Sequence, residues 1–396
     1  MAVAAVSLLS AVPASAATRD PAPVLQTQAF ADDPAATPAN ADADDPAVWV
    51  HPHDPGRSVV LGTLKKGGLA VFDLGARTLQ LVPAGPGGRF NNVDVVGDLA
   101  VVSDRGRDRV RVYRIDPDGS AAGAHVLRDV TDPAAPPVFS ASESEVDGQR
   151  TAYGLAAGRD PRTGLKWVAV TRRHETRVAL LKLVDQPGGT VGTVPLATVD
   201  LPSRFRLPDG TTWAPCEKPG EGPQLEGSVF DGRVLYTAQE DVGIWRIPVT
   251  PSGFGRPGLV DRVRSYGVPQ RWDAATQECV TDGADPGFGG RWLTADAEGL
   301  ALAHGTLFAS SQGDSRFVVY GKHPRDLRIV AGRGTDSVEH SDGSAISTAF
   351  LGPRFPHGLL VVHDGERRPA DGDRPTTGFA FVRLDDVIPR AGHENG

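Results

Sequence analysis

The chain has 396 residues, with 47 glycines, 33 prolines and 23% charged residues, a composition typical of many turns between short strands. Its formal net charge is −8, from 41 basic and 49 acidic side chains, and no Lys/Arg block stands out. These features argue against a nucleic-acid or anionic-membrane partner and against a fold of long amphipathic helices.

The N-terminal segment predicts an export signal followed by a linker. Residues 2–12 are apolar and are followed at 14–17 by small residues of the kind that signal peptidase accepts. We therefore expect residues 1–17 to be a signal peptide and the protein to be secreted. Residues 18–43 are rich in Ala, Pro and Asp without a hydrophobic period, which predicts a flexible lead-in. No later apolar stretch has the length needed to span a bilayer.

From Asp44 onward, short β-type runs alternate with Gly/Asp/Pro turns, and no sustained 3.6-residue stripe occurs. The predicted strands are 47–51, 59–64, 69–74, 99–103, 110–115, 167–171, 178–184, 234–238, 244–248, 307–310, 317–320, 359–363 and 379–384. The sequence therefore predicts an all-β fold.

A recurring unit appears among these runs, in which a turn with an acidic or amide residue opens one strand and two further strands follow. Six openings occur, at 44–46, 91–94, 153–155, 225–227, 297–299 and 341–343. Their mean spacing of about 59 residues is near that of propeller blades with loop insertions. We predict a six-bladed β-propeller formed by residues 44–396.

Acidic residues gather at or near these openings. Equivalent loops of a propeller end on one face around the channel, so acids far apart in sequence are expected to converge there. Any one of them, taken alone, would be explained as the cap of a turn. Recurrence in successive units, together with the repulsion between gathered carboxylates, predicts bound cations, and oxygen ligands in glycine-flanked loops suit several Ca²⁺ ions. The candidate ligands are Asp44, Asp45, Glu226, Glu240, Asp296, Glu298, Asp336, Asp342 and Asp364.

Basic residues in neighbouring loops indicate an anionic substrate. Lys65 and Lys66 lie in a Gly-bounded turn, and Arg105 and Arg173 each follow a predicted strand. Each alone would be a solvated surface charge. Beside bound cations they would form a mixed site for a polyanion.

Several motifs between Asp44 and Leu384 resemble those of the β-propeller phytases, in the same order. They are DDPAVWVHP at 44–52, KKGGL at 65–69, FNNVD at 90–94, ED at 240–241 before IW at 244–245, ADAEGL at 295–300 and ASSQG at 309–313. The resemblance implies structural calcium ions and a catalytic calcium cluster at the channel mouth, with phytate (myo-inositol hexakisphosphate) as substrate. It also implies that the nine acids named above bind calcium and that phosphate is contacted by Lys65, Lys66, Arg105, Tyr153 and Arg173.

The chain departs from the family pattern in three places. Arg173 stands where the family usually has Lys, and Gln239 replaces an acid beside Glu240. The third departure is a pair of long loop insertions, 203–224 and 265–292.

These insertions carry the two cysteines of the chain, Cys216 and Cys279. Two isolated cysteines are too few for a zinc site, whereas an even pair in an exported protein usually forms a disulfide. We therefore predict a Cys216–Cys279 bond, which would tie loops of adjacent units together at the site face.

On this basis we expect a 3-phytase, a phosphoric monoester hydrolase, in which a metal-bound water attacks phosphorus directly without a covalent phospho-enzyme. A monomer acting on a small-molecule substrate is expected. The predicted catalytic residues are Glu226, Asp296, Glu298, Asp342, Lys65 and Arg105.

Three alternatives stay open at this point. The run 173–177 looks partly like the Arg-His-Gly-x-Arg motif of histidine acid phosphatases, which form a phospho-histidine on an α/β scaffold. A propeller esterase or lactonase would use the same channel-mouth metal but would have little use for Lys65, Lys66 and Arg105. A non-catalytic calcium-binding propeller is the third alternative, because propellers host many functions.

Overall fold

The computed structural model describes residues 20–116, 118, 125–368 and 375–388. Within them the chain forms six antiparallel sheets of at least four strands and two separate two-stranded hairpins. The sheets are the blades of a β-propeller, which confirms the predicted fold. The α/β scaffold that the histidine acid phosphatase alternative requires is therefore not the fold of this chain. The predicted signal peptide, residues 1–17, lies outside the described residues.

The first strand, β1 (Leu25–Gln26), belongs to the last blade. The first blade consists of β2 (Pro46–Trp49), β3 (Val59–Thr63), β4 (Leu69–Asp73) and β5 (Thr78–Val82). The second consists of β6 (Phe90–Val96), β7 (Leu99–Asp104), β8 (Arg109–Ile115) and β9 (Leu127–Asp129). The short helix α1 (Glu143–Asp147) precedes the third, which consists of β10 (Ala152–Arg159), β11 (Lys166–Arg172), β12 (Arg177–Asp185) and β13 (Val191–Asp200).

A hairpin of β14 (Phe205–Arg206) and β15 (Thr212–Trp213) precedes the fourth blade. That blade consists of β16 (Leu225–Asp231), β17 (Val234–Gln239), β18 (Gly243–Thr250), β19 (Gly253–Phe254) and β20 (Gly258–Arg262). A second hairpin, β21 (Gln270–Asp273) and β22 (Glu278–Thr281), precedes the fifth blade.

The fifth blade consists of β23 (Ala297–Ala303), β24 (Thr306–Ser311), β25 (Arg316–Tyr320) and β26 (Arg325–Leu327). The sixth consists of β27 (Ser344–Ser347), β28 (Leu359–Asp364) and β29 (Gly378–Arg383), with β1 as its outermost strand, and the helix α2 (Leu384–Val387) follows. The innermost strands of the six blades are β2, β6, β10, β16, β23 and β27, and they line the channel. No helix among the described residues has the length and apolar character needed to cross a membrane.

The burial of each strand follows its place in its blade. All six residues of β7 and all six of β28 are buried, because a middle strand has a neighbouring blade on each face. The outer strand β5 alternates between half-buried and exposed positions. Continuous apolar runs in the sequence therefore mark the middle strands of the blades.

The segment before the first blade is not the flexible lead-in that its composition predicts. Leu25 of β1 pairs with Phe381 of β29, and Phe30 and Ala41 are buried. Because the segment is ordered by pairing with a strand some 350 residues later, it needs no hydrophobic period of its own. Ordered structure in the described part thus begins well before residue 44.

The predicted disulfide is present and joins the two insertions. Cys216 and Cys279 are bonded, with their Cα atoms 6.0 Å apart. The same two insertions also pack together: Trp213 lies against Tyr266 with ring centroids 4.7 Å apart, and Trp213 Nε1 donates to the carbonyl oxygen of Val268 at 2.9 Å. The insertions therefore form a cross-linked unit on the fourth blade.

Removing this bond is expected to destabilise the protein. The cysteines are 63 residues apart, and opening a loop of that length raises the chain entropy of the unfolded state by the equivalent of about 4 kcal/mol. The variant in which both cysteines become serine should show a correspondingly lower free energy of unfolding in urea than the wild type. Equal urea midpoints and slopes would show that the bond adds no stability.

Candidate active site

The openings of the blades share one irregularity of the backbone. In four blades the register between the innermost strand and the second strand shifts near the start of the innermost strand. The innermost strands of these blades are β6, β10, β16 and β23. Such a bulge bends the strand and re-aims the side chains in it. The side chains that lie within these shifted steps include Asn91, Tyr153, Glu226 and Glu298.

Neighbouring openings are in direct contact. A Cβ atom at Gly227 would overlap the carbonyl oxygen of Glu298 in the next blade, and one at Gly299 would overlap that of Asp342. The same close approach recurs between the third and fourth blades and between the sixth and first. Only glycine allows the backbones to come this near.

Buried hydroxyl groups also link one blade to the next. In each case a Ser or Thr near the end of the second strand donates to a carbonyl oxygen in the opening of the following blade. The bonds are Thr63 to Asn91 (2.6 Å), Ser103 to Tyr153 (2.5 Å), Thr171 to Leu225 (2.5 Å) and Ser310 to Ser341 (2.7 Å). The openings therefore form a ring around the channel mouth.

Three glutamates in this ring form a buried cluster. One oxygen from each of Glu226, Glu240 and Glu298 lies within 4.8 Å of the others, and the residues are 6%, 9% and 4% exposed. Asn91 Nδ2 donates to Glu226 Oε1 at 2.6 Å, and Gln224 Nε2 donates to Glu240 Oε2 at 2.9 Å. Glu240 Oε1 and Glu298 Oε2 are buried without a hydrogen-bond partner among the described residues.

The electrostatics of the cluster disfavour several bare carboxylates. Burial raises the pKa of each of these three glutamates, and the neighbouring carboxylates raise it further. Burial, followed by the charges of Asp342 and Glu226, raises the pKa of Asp296 to about 6. Burial likewise raises the pKa of Asp342 to about 6, although the ammonium of Lys65 opposes it. These acids must share protons or neutralise their charge with cations.

Lys65 lies at the acidic side of the ring. Its Nζ is 2.8 Å from Asp42 Oδ2, 3.5 Å from Asp44 Oδ2 and 4.0 Å from Asp342 Oδ2. Burial disfavours the ammonium, but the three carboxylates outweigh that effect and raise the pKa of Lys65 above its ordinary value. Lys65 therefore carries a fixed positive charge, whereas the adjacent Lys66 is exposed.

Asp44 and Asp45 are both buried, and Asp44 lies beside this lysine. Asp45 Oδ2 accepts a hydrogen bond from the backbone N–H of Val93 at 3.0 Å, and Asp45 also lines the cavity of about 270 Å³ within the channel. Burial raises the pKa of both aspartates. They extend the acidic ring from the glutamate cluster to the first blade.

The basic side of the ring centres on Arg105. Its Nη1 donates to Asn91 Oδ1 at 2.7 Å, and its Cζ lies 5.6 Å from the centroid of the Tyr153 ring. Because Asn91 also donates to Glu226, this one amide links the basic side to the glutamates. Arg173 is half-buried, and burial, followed by the charge of Arg105, lowers its pKa.

Asp336 and Asp364 form a second acidic group, and the three-glutamate cluster does not include them. Asp364 Oδ1 accepts from the backbone N–H groups of Glu339 and Glu366 at 3.2 and 3.3 Å. Burial, opposed by these bonds and reinforced by the charge of Asp336, raises the pKa of Asp364 to about 7. Asp364 Oδ2 is buried without a partner among the described residues.

The residues present at both acidic groups fit a hard divalent cation. Within the described part of the chain, buried carboxylate oxygens of Glu240, Glu298 and Asp364 lack hydrogen-bond donors, and leaving such atoms unsatisfied costs free energy. Carboxylate oxygens supplied by several loops are the ligands that such a cation prefers. A bound cation would satisfy these oxygens and offset the mutual repulsion of the acids.

Three residues of the site are not among the site residues that the sequence predicted. Asn91 lies in the FNNVD motif at 90–94. Its amide stands in one of the recurring strand openings, and that position could have identified it as a site residue. Gln224 ends an insertion and donates to Glu240, with its Oε1 accepting from the backbone N–H of His174 at 3.0 Å. Asp42 pairs with Lys65 from within the segment that its composition predicts to be flexible.

Comparison with solved structures finds weak similarities. A calcium-binding protein, regucalcin, from Agrobacterium tumefaciens is 14% identical, with a TM-score of 0.45 over 87% of this chain and 91% of its own. A gluconolactonase from Xanthomonas campestris is 14% identical, with a TM-score of 0.43 over 86% of each chain. Likenesses this weak have no bearing on chemistry.

Comparison by sequence gives a much stronger result. A 3-phytase of Bacillus subtilis (strain 168) is 29% identical over 383 residues, which are 91% of this chain and 84% of that protein. The family model described as Phytase matches residues 1–197 and 271–394, and so leaves out the segment that carries Glu226 and Glu240. Since that match spans most of the sequence, the chain belongs to the phytase family.

Proposed function

We propose that this chain is a secreted, calcium-dependent 3-phytase that hydrolyses phytate to lower inositol phosphates and inorganic phosphate. The observation that carries the proposal is the junction at Asn91, which joins the buried glutamates through Glu226 to the guanidinium of Arg105. Family membership and the likeness to the Bacillus 3-phytase support the choice of phytate. The arrangement suits a substrate with several phosphates, because it places potential cation ligands and fixed positive charges side by side.

Calcium would be held by the glutamate cluster and the aspartates around it. The proposed ligands are Asp44, Asp45, Glu226, Glu240, Asp296, Glu298 and Asp342. When bound there, calcium would neutralise phosphate charge and make water a better nucleophile. We assign Asp336 and Asp364 to a separate, structural calcium, since their carboxylates form their own group.

The basic side of the ring would bind and orient the substrate. Lys65 stays charged among its three carboxylates and would stabilise the negative charge that develops at the reacting phosphate. Arg105, Arg173 and Lys66 would take phosphate oxygens, and the ring of Tyr153 holds Arg105 in place. We propose direct attack by water, with no covalent phospho-enzyme, since every charged side chain assigned here is a cation ligand or a phosphate contact.

The proposal also assigns the segments of the chain to a signal peptide, a segment that precedes the propeller, and the propeller domain. Residues 1–17 would be the signal peptide that directs export. The propeller domain, residues 44–396 by its motifs, would be preceded by residues 18–43, of which the described part closes the last blade through β1.

Phosphate release from phytate tests this function directly. The purified protein should release inorganic phosphate in millimolar calcium, should lose that activity in EDTA and should regain it when calcium is restored. Absence of phosphate release in calcium, or full activity in EDTA, would contradict the proposal.

A further inference from the structure

The first insertion, residues 203–224, is fastened at both of its ends to the end of β17 and to Glu240, which follows that strand. At its start, the carbonyl oxygen of Pro202 accepts a hydrogen bond from Gln239 Nε2 at 3.3 Å. At its end, the backbone N–H of Glu240 donates to the carbonyl oxygen of Gln224 at 3.3 Å, and Gln224 Nε2 donates to Glu240 Oε2 at 2.9 Å. The backbone and the carboxylate of Glu240 therefore both depend on where this insertion lies.

The side-chain amide of Gln224 has one orientation that fits its neighbours. Its Oε1 accepts from the backbone N–H of His174 at 3.0 Å, and that group can only donate. The amide nitrogen must therefore face Glu240, where it donates to Oε2. The other oxygen of Glu240, Oε1, is buried without a hydrogen-bond partner among the described residues. The amide thus occupies one carboxylate oxygen and leaves the other available to a cation.

The segment that carries Gln224 is itself held in place. Cys216, earlier in the same insertion, is bonded to Cys279 of the second insertion. A Cβ atom at Gly222 would lie 2.8 Å from the carbonyl oxygen of His174, so the insertion also lies directly against the third blade. Gln224 is therefore positioned by the cross-linked insertions as well as by the blades.

We propose that Gln224 is a positioning residue through which the disulfide-bonded insertions orient the carboxylate of Glu240 for cation binding. The inference rests on the proposed function, in which Glu240 is a calcium ligand, and it adds a residue that acts through that ligand. Hydrogen bonds to a ligating carboxylate fix its orientation, and their loss typically lowers metal affinity about 10- to 100-fold. Without the amide, the side chain of Glu240 would lose conformational entropy when a cation orders it.

The variant Gln224→Met tests this role, with Gln277→Met in the exposed turn between β21 and β22 as the matched control. Methionine has nearly the length of glutamine but cannot donate to Glu240. We expect calcium affinity, measured by isothermal titration calorimetry, to fall about 10-fold in Gln224→Met. It should equal that of the wild type in Gln277→Met, which loses only the bond from Gln277 Nε2 to the carbonyl oxygen of Ala274 at 2.8 Å. Gln224→Asn, which keeps the amide on a shorter side chain, should show a smaller fall.

The disulfide supplies a second test by a double-mutant cycle. Replacing Cys216 and Cys279 by serine should lower calcium affinity in the wild type and should cause a smaller further loss in Gln224→Met, because the insertions act on Glu240 through that amide. Fully additive losses would overturn the link between the insertions and Glu240.

Melting temperatures in EDTA separate positioning from a merely structural role. Wild-type calcium affinity in a folded Gln224→Met protein, including one with a lower melting temperature in EDTA, would overturn the assignment of Gln224. Weaker calcium binding by Gln224→Met in a protein that releases no phosphate from phytate would instead overturn the proposed function and keep the positioning role. A wild-type protein that binds no calcium would overturn both.

Discussion

Glu298→Gln is expected to lower kcat/KM for phytate about 100-fold. The change removes one of the three clustered carboxylates beside Glu226 and Glu240, and it places an amide NH₂ group where a buried oxygen now lies without a hydrogen-bond partner among the described residues. An amide is a weaker ligand than a carboxylate, so the affinity for the cation and the stabilisation of charge at phosphorus should fall together. Initial rates over a range of calcium concentrations would measure the effect.

The matched control for this variant is Glu278→Gln, at an exposed position on β22. It makes the same chemical change outside the cluster, and its rates should equal those of the wild type. Much higher calcium should restore part of the activity of Glu298→Gln if the loss lies in cation binding. Activity within twofold of the wild type at all calcium concentrations would refute a role for Glu298.

The calcium-free protein is expected to become less stable as the pH rises from 5 to 7.5. Burial and crowding raise the pKa of Asp296 and Asp342 to about 6, above the ordinary aspartate value of 3.8. A carboxyl group with a raised pKa binds more protons in the folded than in the unfolded state, so the stability that it contributes at low pH is lost as the pH rises from about 4 through 6. Burial and the neighbouring carboxylates also raise the pKa of Glu240 and Glu298 well above the ordinary glutamate value, so these groups contribute to the loss of stability in the same direction.

Thermal unfolding in EDTA and in calcium would measure this dependence. In EDTA we expect the melting temperature to be lower at pH 7.5 than at pH 5 by about 5 °C or more. Calcium should raise the melting temperature most at pH 7.5, because the ligands bind as carboxylates and binding competes with protons. A melting temperature in EDTA that increases steadily over this range, or that does not respond to calcium, would contradict the arrangement described for the acids.

The sequence predicted much of the site because propeller geometry repeats. The openings that contain Glu226, Glu298 and Asp342 recur once in each unit, and equivalent loops of a propeller must lie on one face. Their backbones are in contact in the structure, as the close approaches at Gly227 and Gly299 show. Periodicity was therefore sufficient to predict that these openings lie side by side.

What the sequence left unpredicted depends on contacts between distant segments. Asp42 pairs with Lys65 only because β1 and the residues after it are held against the last blade, and no local pattern encodes that pairing. Gln224 reaches Glu240 from the end of an insertion that has no counterpart in the repeated unit.

The direct contact between successive openings has a consequence for how this site can change in evolution. Because the backbone of Gly227 touches that of Glu298, and Gly299 touches Asp342, a substitution that displaces one opening is transmitted to its neighbour. Pairs of mutations in adjacent blades should therefore show epistasis, with combined effects that differ from the sum of the single ones. New substrate preferences are then more accessible through the insertions and the outer rim than through the ring itself.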